Sequence, residues 1–257
     1  MSKNAVTVKK EDAGLPASIM DFVAEDLGKG VSTAQEDNLV PLIYVLQALS
    51  PQVNKRNPSY IEGAEPGSIL LRNAPRPVVD GEEGVLFQPC YFSKDWVEWV
   101  PRDSGGGFVG RHAELPSEAK KTADPKNPSK VQYVLPNGNE LIETRYHVGF
   151  ALVDGAALPY VIPMTSSGHT ISKQWMVLMN GKQHNGKPLP SFAGLYRLRT
   201  KERSNTAGTW FTFDVSDAGF VHSREDYERG KALYMAFASG EKVMEAAHDV
   251  QPVSDMM

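Results

Sequence analysis

Apolar and polar positions divide the chain into stretches of different period. Residues 1–38 are mostly polar and acidic, with one amphipathic stretch, ASIMDFVAEDL (17–27), so they predict a flexible acidic arm holding a short helix. The next run, NLVPLIYVLQALSPQV (38–53), is dense in apolar residues and reads either as a buried strand or as a short helix with Pro41 in its first turn. From residue 60 the period shortens. EPGSILLRNA (65–74), EGVLFQPCYF (83–92), DWVEWVPR (95–102) and GGFVGRH (106–112) are β-branched and aromatic runs separated by Gly, Pro, Asp and Asn, which predicts a meander of antiparallel strands. Within KDWVEWV, Trp96 and Glu98 alternate with Val97 and Trp99, so one indole faces the core and the other a groove or solvent.

Residues 113–130, AELPSEAKKTADPKNPSK, carry no apolar period and predict an exposed loop insertion. VQYVLPNGNELIETRYHVGFALVD (131–154) reads as a hairpin about a Pro-Asn-Gly-Asn turn, and LPYVIPM (158–164) as a third strand after Asp154-Gly155. The period then lengthens. TSSGHTISKQWMVLMNGK (165–182) begins with Ser and Thr, spaces Ile171, Trp175, Leu178 and Met179 as a helix does, and closes on Asn180-Gly181. YRLRTKERSNTAGTWFTF (196–213) supplies two strands across a SNTAG turn, and residues 223–247 predict an amphipathic helix with a tail at 248–257.

Strands, one helix between the third and fourth strands of the last group, and a closing hairpin make the chain mainly β with peripheral helices. The expected architecture is an OB-like Greek-key barrel with insertions, spanning residues 39–222. A β-sandwich fits the same signals.

Composition adds exclusions. At 257 residues, 41% hydrophobic and 23% charged, the chain is an ordinary globular one rather than fibrous or disordered. It carries no signal-peptide pattern and no membrane-length apolar window, so a cytoplasmic location is expected. A single cysteine, Cys90, excludes internal disulfides and Cys-rich zinc patterns and reads as a small buried hydrophobe. The six His residues lack metal-ligand spacing, and SGGGFVG (104–110) and SSGHTISK (166–173) lack the features of a phosphate-binding loop. With no Gly-x-Ser-x-Gly elbow either, the expectation is a protein without catalysis, metal or cofactor.

Charge distribution changes the picture more than the total of -4. Residues 165–203 hold seven cations and one acid, a local net of +6, between segments 1–38 at -3 and 214–257 at -5. Arg197, Arg199, Lys201 and Arg203 occupy alternate positions, so in a strand they form a row on one face, about 6.6 Å apart. Lys173, Lys182 and Lys187 flank the row, and aromatic residues interleave with it. Outward-facing cations place Tyr196 in the core and favour Trp210 over Phe211 and Phe213 as an exposed ring, with Trp99 as a second candidate. A cationic groove with exposed rings is what sequence-tolerant binding of single-stranded nucleic acid requires. The bland alternative is an edge strand kept from aggregating by its charge.

The stretches YVIPMTSSGHTISKQWMVLM, SFAGLYRLRTKERSN and GTWFTFDV resemble phage-encoded single-stranded DNA-binding proteins of the OB-fold type. LQALSPQV, YIEGAEPG and FQPC are similar to segments of uncharacterised phage proteins. The resemblance implies a replication and recombination accessory of the host cytoplasm that coats single strands and reaches replisome or recombination proteins through an acidic C-terminal region. Such proteins end in a dense acidic run, whereas HDVQPVSDMM has only Asp249 and Asp255. The competing expectation is a virion-type assembly protein whose basic strand meets another subunit, and self-association through the C-terminal helix is compatible with both.

Overall fold

The computed structural model describes residues 39–123, 131–206, 208–240 and 243–244. The expected arm (1–38), part of the loop insertion (124–130) and the tail (248–257) lie outside the described residues. In chain order the strands are β1 (Leu39–Val40), β2 (Ile43–Val45), β3 (Ile69–Leu71), β4 (Val78–Val79), β5 (Val85–Trp99), β6 (Phe108–His112), β7 (Lys120–Ala123), β8 (Val131–Val134), β9 (Glu140–Val153) and β10 (Ala156–Met164). Helix α1 (Gly168–Gly181), β11 (Gln183–His184), β12 (Lys187–Pro188), β13 (Gly194–Asn205), β14 (Gly208–Phe220), helix α2 (Arg224–Ala238) and β15 (Val243–Met244) complete the chain.

The spine is one antiparallel ladder. β5 and β9 pair from Leu86 opposite Leu152 to Trp99 opposite Glu140. At one end their free edges take β13 and β10, giving the order β14-β13-β5-β9-β10 with α1 between β10 and β13; at the other end they take β6 and β8, with β7 outside β8. The two separate strands expected at 83–92 and 95–102 are therefore one 15-residue strand. A register shift between Pro89 and Tyr91 explains why the alternation broke there: a bulge inserts one residue and bends the strand, and Pro89 is tolerated beside it.

Both faces of this ladder are covered. Phe87, Ala151, Tyr160, Ile162, Tyr196, Leu198 and Phe213 pack on one side with Ile171, Trp175 and Met179 of α1. On the other, Cys90, Val97, Trp99, Tyr146, Val148 and Phe150 lie under Leu233 and Phe237 of α2. Double burial makes residues 146–151 of β9 a continuous buried run rather than an alternating one.

The sheet stays open. Among the described residues no ladder joins β14 to β10, so the expected barrel is not closed by strand pairing. α1 packs against both β10 and β14, and the small sheet β2-β3-β4 approaches the same gap. Val161 of β10 donates to the Pro41 carbonyl at 2.9 Å, making a parallel bridge with Leu42. On the other side the Gln47 amide takes the place of a strand: its Nε2 donates to Phe211 O and its Oε1 accepts from Phe211 N, each at 2.9 Å. Residues 39–53 are thus strand at Leu39–Val40 and Ile43–Val45, then a 3-10 turn at Pro51–Val53, and not an α-helix.

Two further expectations change. Residues 120–123 of the loop insertion form the lysine-bearing edge strand β7, paired with β8. The helix expected over 223–247 ends at Ala238, after which Gly240 adopts φ 78°, a left-handed conformation that glycine reaches without steric cost. Val243 and Met244 then pair in parallel with Leu39 and Val40.

The inner layer encloses an imidazole. His147 stacks on Trp175 at 4.4 Å between centroids and makes a 2.9 Å hydrogen bond through Nε2 with Ser172 Oγ, tying β9 to α1. Burial, reinforced by the nearby Arg145 charge, pushes its pKa down to about 3. In the unfolded chain His147 takes up a proton below about pH 6.5, which the folded protein resists, so stability falls as pH falls through that interval. Urea unfolding is expected to show this loss between pH 7 and pH 5, at up to about 1.4 kcal/mol per pH unit from this ring. His147→Gln should show a smaller decline; an equal decline would assign it to other groups. Gln47→Ala, which strips the Phe211 peptide of its partners, is expected to cost about 3 kcal/mol in the same assay.

Candidate nucleic-acid interface

The parity of β13 is set by what lies beneath it. Tyr196 and Leu198 are fully buried in the inner layer, so Arg197, Arg199, Lys201 and Arg203 point the other way; Arg197 is half-buried and the other three are exposed. A register shift between Gly194 and Tyr196 fixes the pairing with β14: Arg197 faces Ser216, Arg199 faces Asp214, Lys201 faces Thr212 and Arg203 faces Trp210. Directly opposed residues share a face. The cation row and Trp210 therefore lie on the same side, while Phe213 is buried on the other.

The root of the hairpin is clamped. β5 pairs with Tyr196–Leu198, and the segment before it continues along the same edge, where Gly81 O accepts from Thr200 N at 2.8 Å. Thr200 Oγ1 also donates to Gly67 O at 2.6 Å. A Cβ on Gly81 would overlap Thr200 Oγ1 and the Gly67 carbonyl, so glycine permits this approach. Arg199 is engaged at the clamp, its Nε donating to Glu82 O at 2.8 Å, with exposed Glu82 and Glu83 alongside. Past Thr200 the ladder partners of β13 come from β14 alone, and Lys201 and Arg203 stand on this two-stranded arm. Among the described residues no carboxylate lies within 4.0 Å of the Arg197, Lys201 or Arg203 cations.

The other expected site residues are dispersed. Lys182 is buried: its Nζ donates to Asp217 Oδ1 at 2.6 Å and Gly219 O at 2.7 Å, over the Phe220 ring at 4.1 Å. This pairing holds the Asp217 carboxyl below its ordinary pKa, the Lys182 hydrogen bond being the main cause and the Gly219 amide the next. Lys182 thus ties the end of α1 to β14 and is removed from the phosphate-facing set. Lys187 is exposed on the β11-β12 hairpin, and Lys173 is exposed on α1, its charge acting on His169. Trp99 is withdrawn as a stacking ring: it is buried edge-on to Phe108, and Trp96 is the half-buried indole of that pair. Trp210 is also half-buried, with Nε1 enclosed and lacking a hydrogen-bond partner among the described residues.

Asp214 opposite Arg199 and the Glu82 clamp were missed. Only the register places them there, and no sequence signal marks the bulge that sets it. Among the described residues no group of three His, Cys, Asp or Glu side chains is placed to hold a metal, and no helix is long and apolar enough to cross a membrane.

Comparison with protein families matches residues 9–243 to the family described as Pam3 phage gp34-like protein. The chain belongs to that family, a family of phage proteins. No curated protein and no solved structure matches it.

Buried and available cations separate experimentally. Lys182→Ala is expected to lower stability by about 2 kcal/mol, since it removes hydrogen bonds to a charged group, whereas Arg203→Ala should stay within about 0.5 kcal/mol of wild type in urea unfolding. Equal effects would contradict the division drawn between the two lysine and arginine environments.

Proposed function

We propose that this phage protein binds single-stranded DNA with little sequence preference along the outer face of the β13-β14 hairpin, and serves phage DNA replication or recombination without catalysing a reaction. The observation that carries the reading is the row itself. Arg197, Lys201 and Arg203 share one face with Trp210 and have no carboxylate within 4.0 Å among the described residues. Phosphates would follow the cations, and a base would stack on the exposed part of the indole, each such stack contributing about 1 to 3 kcal/mol.

Edge protection accounts for Lys201 and Arg203, where β13 has β14 alone as partner, but not for Arg197. β13 is an interior strand between β5 and β14 where Arg197 stands, and a strand with partners on both sides needs no charge to prevent further pairing. An OB-type architecture is part of the proposal. The order β14-β13-β5-β9-β10, with α1 between β10 and β13, supports that connectivity, although the strands do not close. Recruitment of replisome or recombination proteins through the acidic C-terminal region belongs to the same proposal, with most of that region's tail outside the described residues.

Tryptophan fluorescence is a direct test, because Trp99 and Trp175 are buried and Trp96 and Trp210 are half-buried. Titration with oligo-dT of about 30 nucleotides is expected to quench emission, with a weaker response to duplex. In Arg197→Ala/Lys201→Ala/Arg203→Ala the slope of log affinity against log salt should shrink by about 2, from three lost contacts at about 0.7 each. Absence of binding at low salt, together with a defined large assembly on size exclusion, would instead favour the virion-type reading.

A further inference from the structure

The β5-β9 ladder continues past the core as a ribbon, and one of its faces changes character there. Phe92 opposite His147 is packed, the His147 ring lying against both Phe92 and Trp175. Two residues further along the same face Lys94 lies opposite Arg145, and two further Trp96 lies opposite Glu143. β8 and β7 extend this face: Tyr133 is opposite Leu141, which is opposite Glu98 on the Trp96 side, and Lys121 is opposite Tyr133. The Trp96 and Tyr133 rings meet edge-on at 4.9 Å, both half-buried.

Like charges directly opposed across a ladder are destabilising. Arg145 finds an acid, its Nε donating to Glu143 Oε1 at 2.9 Å. Lys94 and Lys121 are exposed, and among the described residues neither has a carboxylate within 4.0 Å. Two half-buried rings flanked by two lysines without carboxylates and by the Glu143-paired Arg145 form a combination like that of the hairpin arm. It lies at the other end of β5 and on the other face of the sheet, Arg145 sharing the His147 face and Arg197 the Leu86–Leu152 face. A strand touching both must therefore pass round the sheet.

We infer that this ribbon face, built from Lys94, Trp96, Lys121, Tyr133 and Arg145, is a second contact surface for the same single-stranded DNA, engaged only by strands longer than the hairpin arm can occupy. The inference rests on the proposed function of the arm. Phosphates meet Lys94, Lys121 and the outer edge of Arg145, and a base stacks on the exposed part of Trp96 or Tyr133. A single such face binds about 4 to 16 nucleotides in proteins of this type, so a second one lengthens the occupied site rather than replacing the first.

Anisotropy titrations with labelled oligo-dT of about 8 and about 30 nucleotides separate the two surfaces. Lys94→Gln/Lys121→Gln and Trp96→Leu are expected to bind the short strand within about twofold of wild type and the long strand about tenfold more weakly. Arg197→Ala/Lys201→Ala/Arg203→Ala should be weakened on both. The double lysine variant removes charge from exposed positions and keeps the test independent of any folding defect in Trp96→Leu. Ribbon variants that match wild type on the long strand, or lose both lengths alike, overturn the second surface and leave the arm standing. A hairpin variant that binds both lengths as wild type does, or a wild type that binds neither, overturns the arm and the extension with it.

Discussion

The open seam between β10 and β14 is the constraint on which the rest of the structure depends. A sheet that curls without closing leaves two rows of backbone groups facing each other, and buried backbone groups must find partners. Pro41 and Leu42 supply a bridge on the β10 side, and the Gln47 side-chain amide supplies both a donor and an acceptor on the β14 side. A glutamine succeeds here because its amide carries the same donor and acceptor as a peptide. Behind this seam α1 fills the space, with Trp175 edge-on to Phe87 and Tyr196 and flat against His147.

Closing the seam with side chains rather than a ladder has a consequence for the surface. Tyr196 and Leu198 are drawn inward by the layer that α1 completes, and that alone turns Arg197, Arg199, Lys201 and Arg203 outward. Lys182, at the end of the same helix, is held inward by Asp217 and the Gly219 carbonyl. Neighbouring cations thus end in opposite environments. A lysine is buried at acceptable cost when its ammonium is paired and hydrogen-bonded, and the Phe220 ring beneath it adds a favourable cation–π contact.

Much of the mainly β plan was legible: the 131–164 strands, α1 with its Gly181 end, and the 194–220 hairpin follow the hydrophobic period. The inward turn of Tyr196 was legible too, because alternation on one strand needs no knowledge of the partner. What could not be read depends on the partner. The bulge at Cys90 merges two runs into β5, and double burial erases the period of β9. Whether Trp96 or Trp99 is enclosed depends on which face of this part of β5 is covered, and it is the face where Trp99 packs with Val97 and Phe108. The end of α2 was marked by Gly240, yet the apolar residues beyond it suggested more helix; their pairing with β1 is a contact across the whole chain.

Repulsion among the unpaired cations remains in the folded state. Lys201 and Arg203 are about 6.6 Å apart along β13 and Arg197 is about 13 Å from Lys201, and Lys94 faces Arg145 across a ladder, in a chain whose net charge is -4. The chain has enough acids to neutralise these positions; Glu143 stands beside Arg145 and Asp214 opposite Arg199, which leaves Arg197, Lys201 and Arg203 without one among the described residues. An external polyanion would relieve this repulsion, and whatever binds the folded state alone also stabilises it. Salt relieves it as well by screening. Added salt would therefore strengthen the free fold slightly while it weakens a phosphate-bound complex, and that opposition of sign separates a binding face from a row of charges that merely keeps the surface wet.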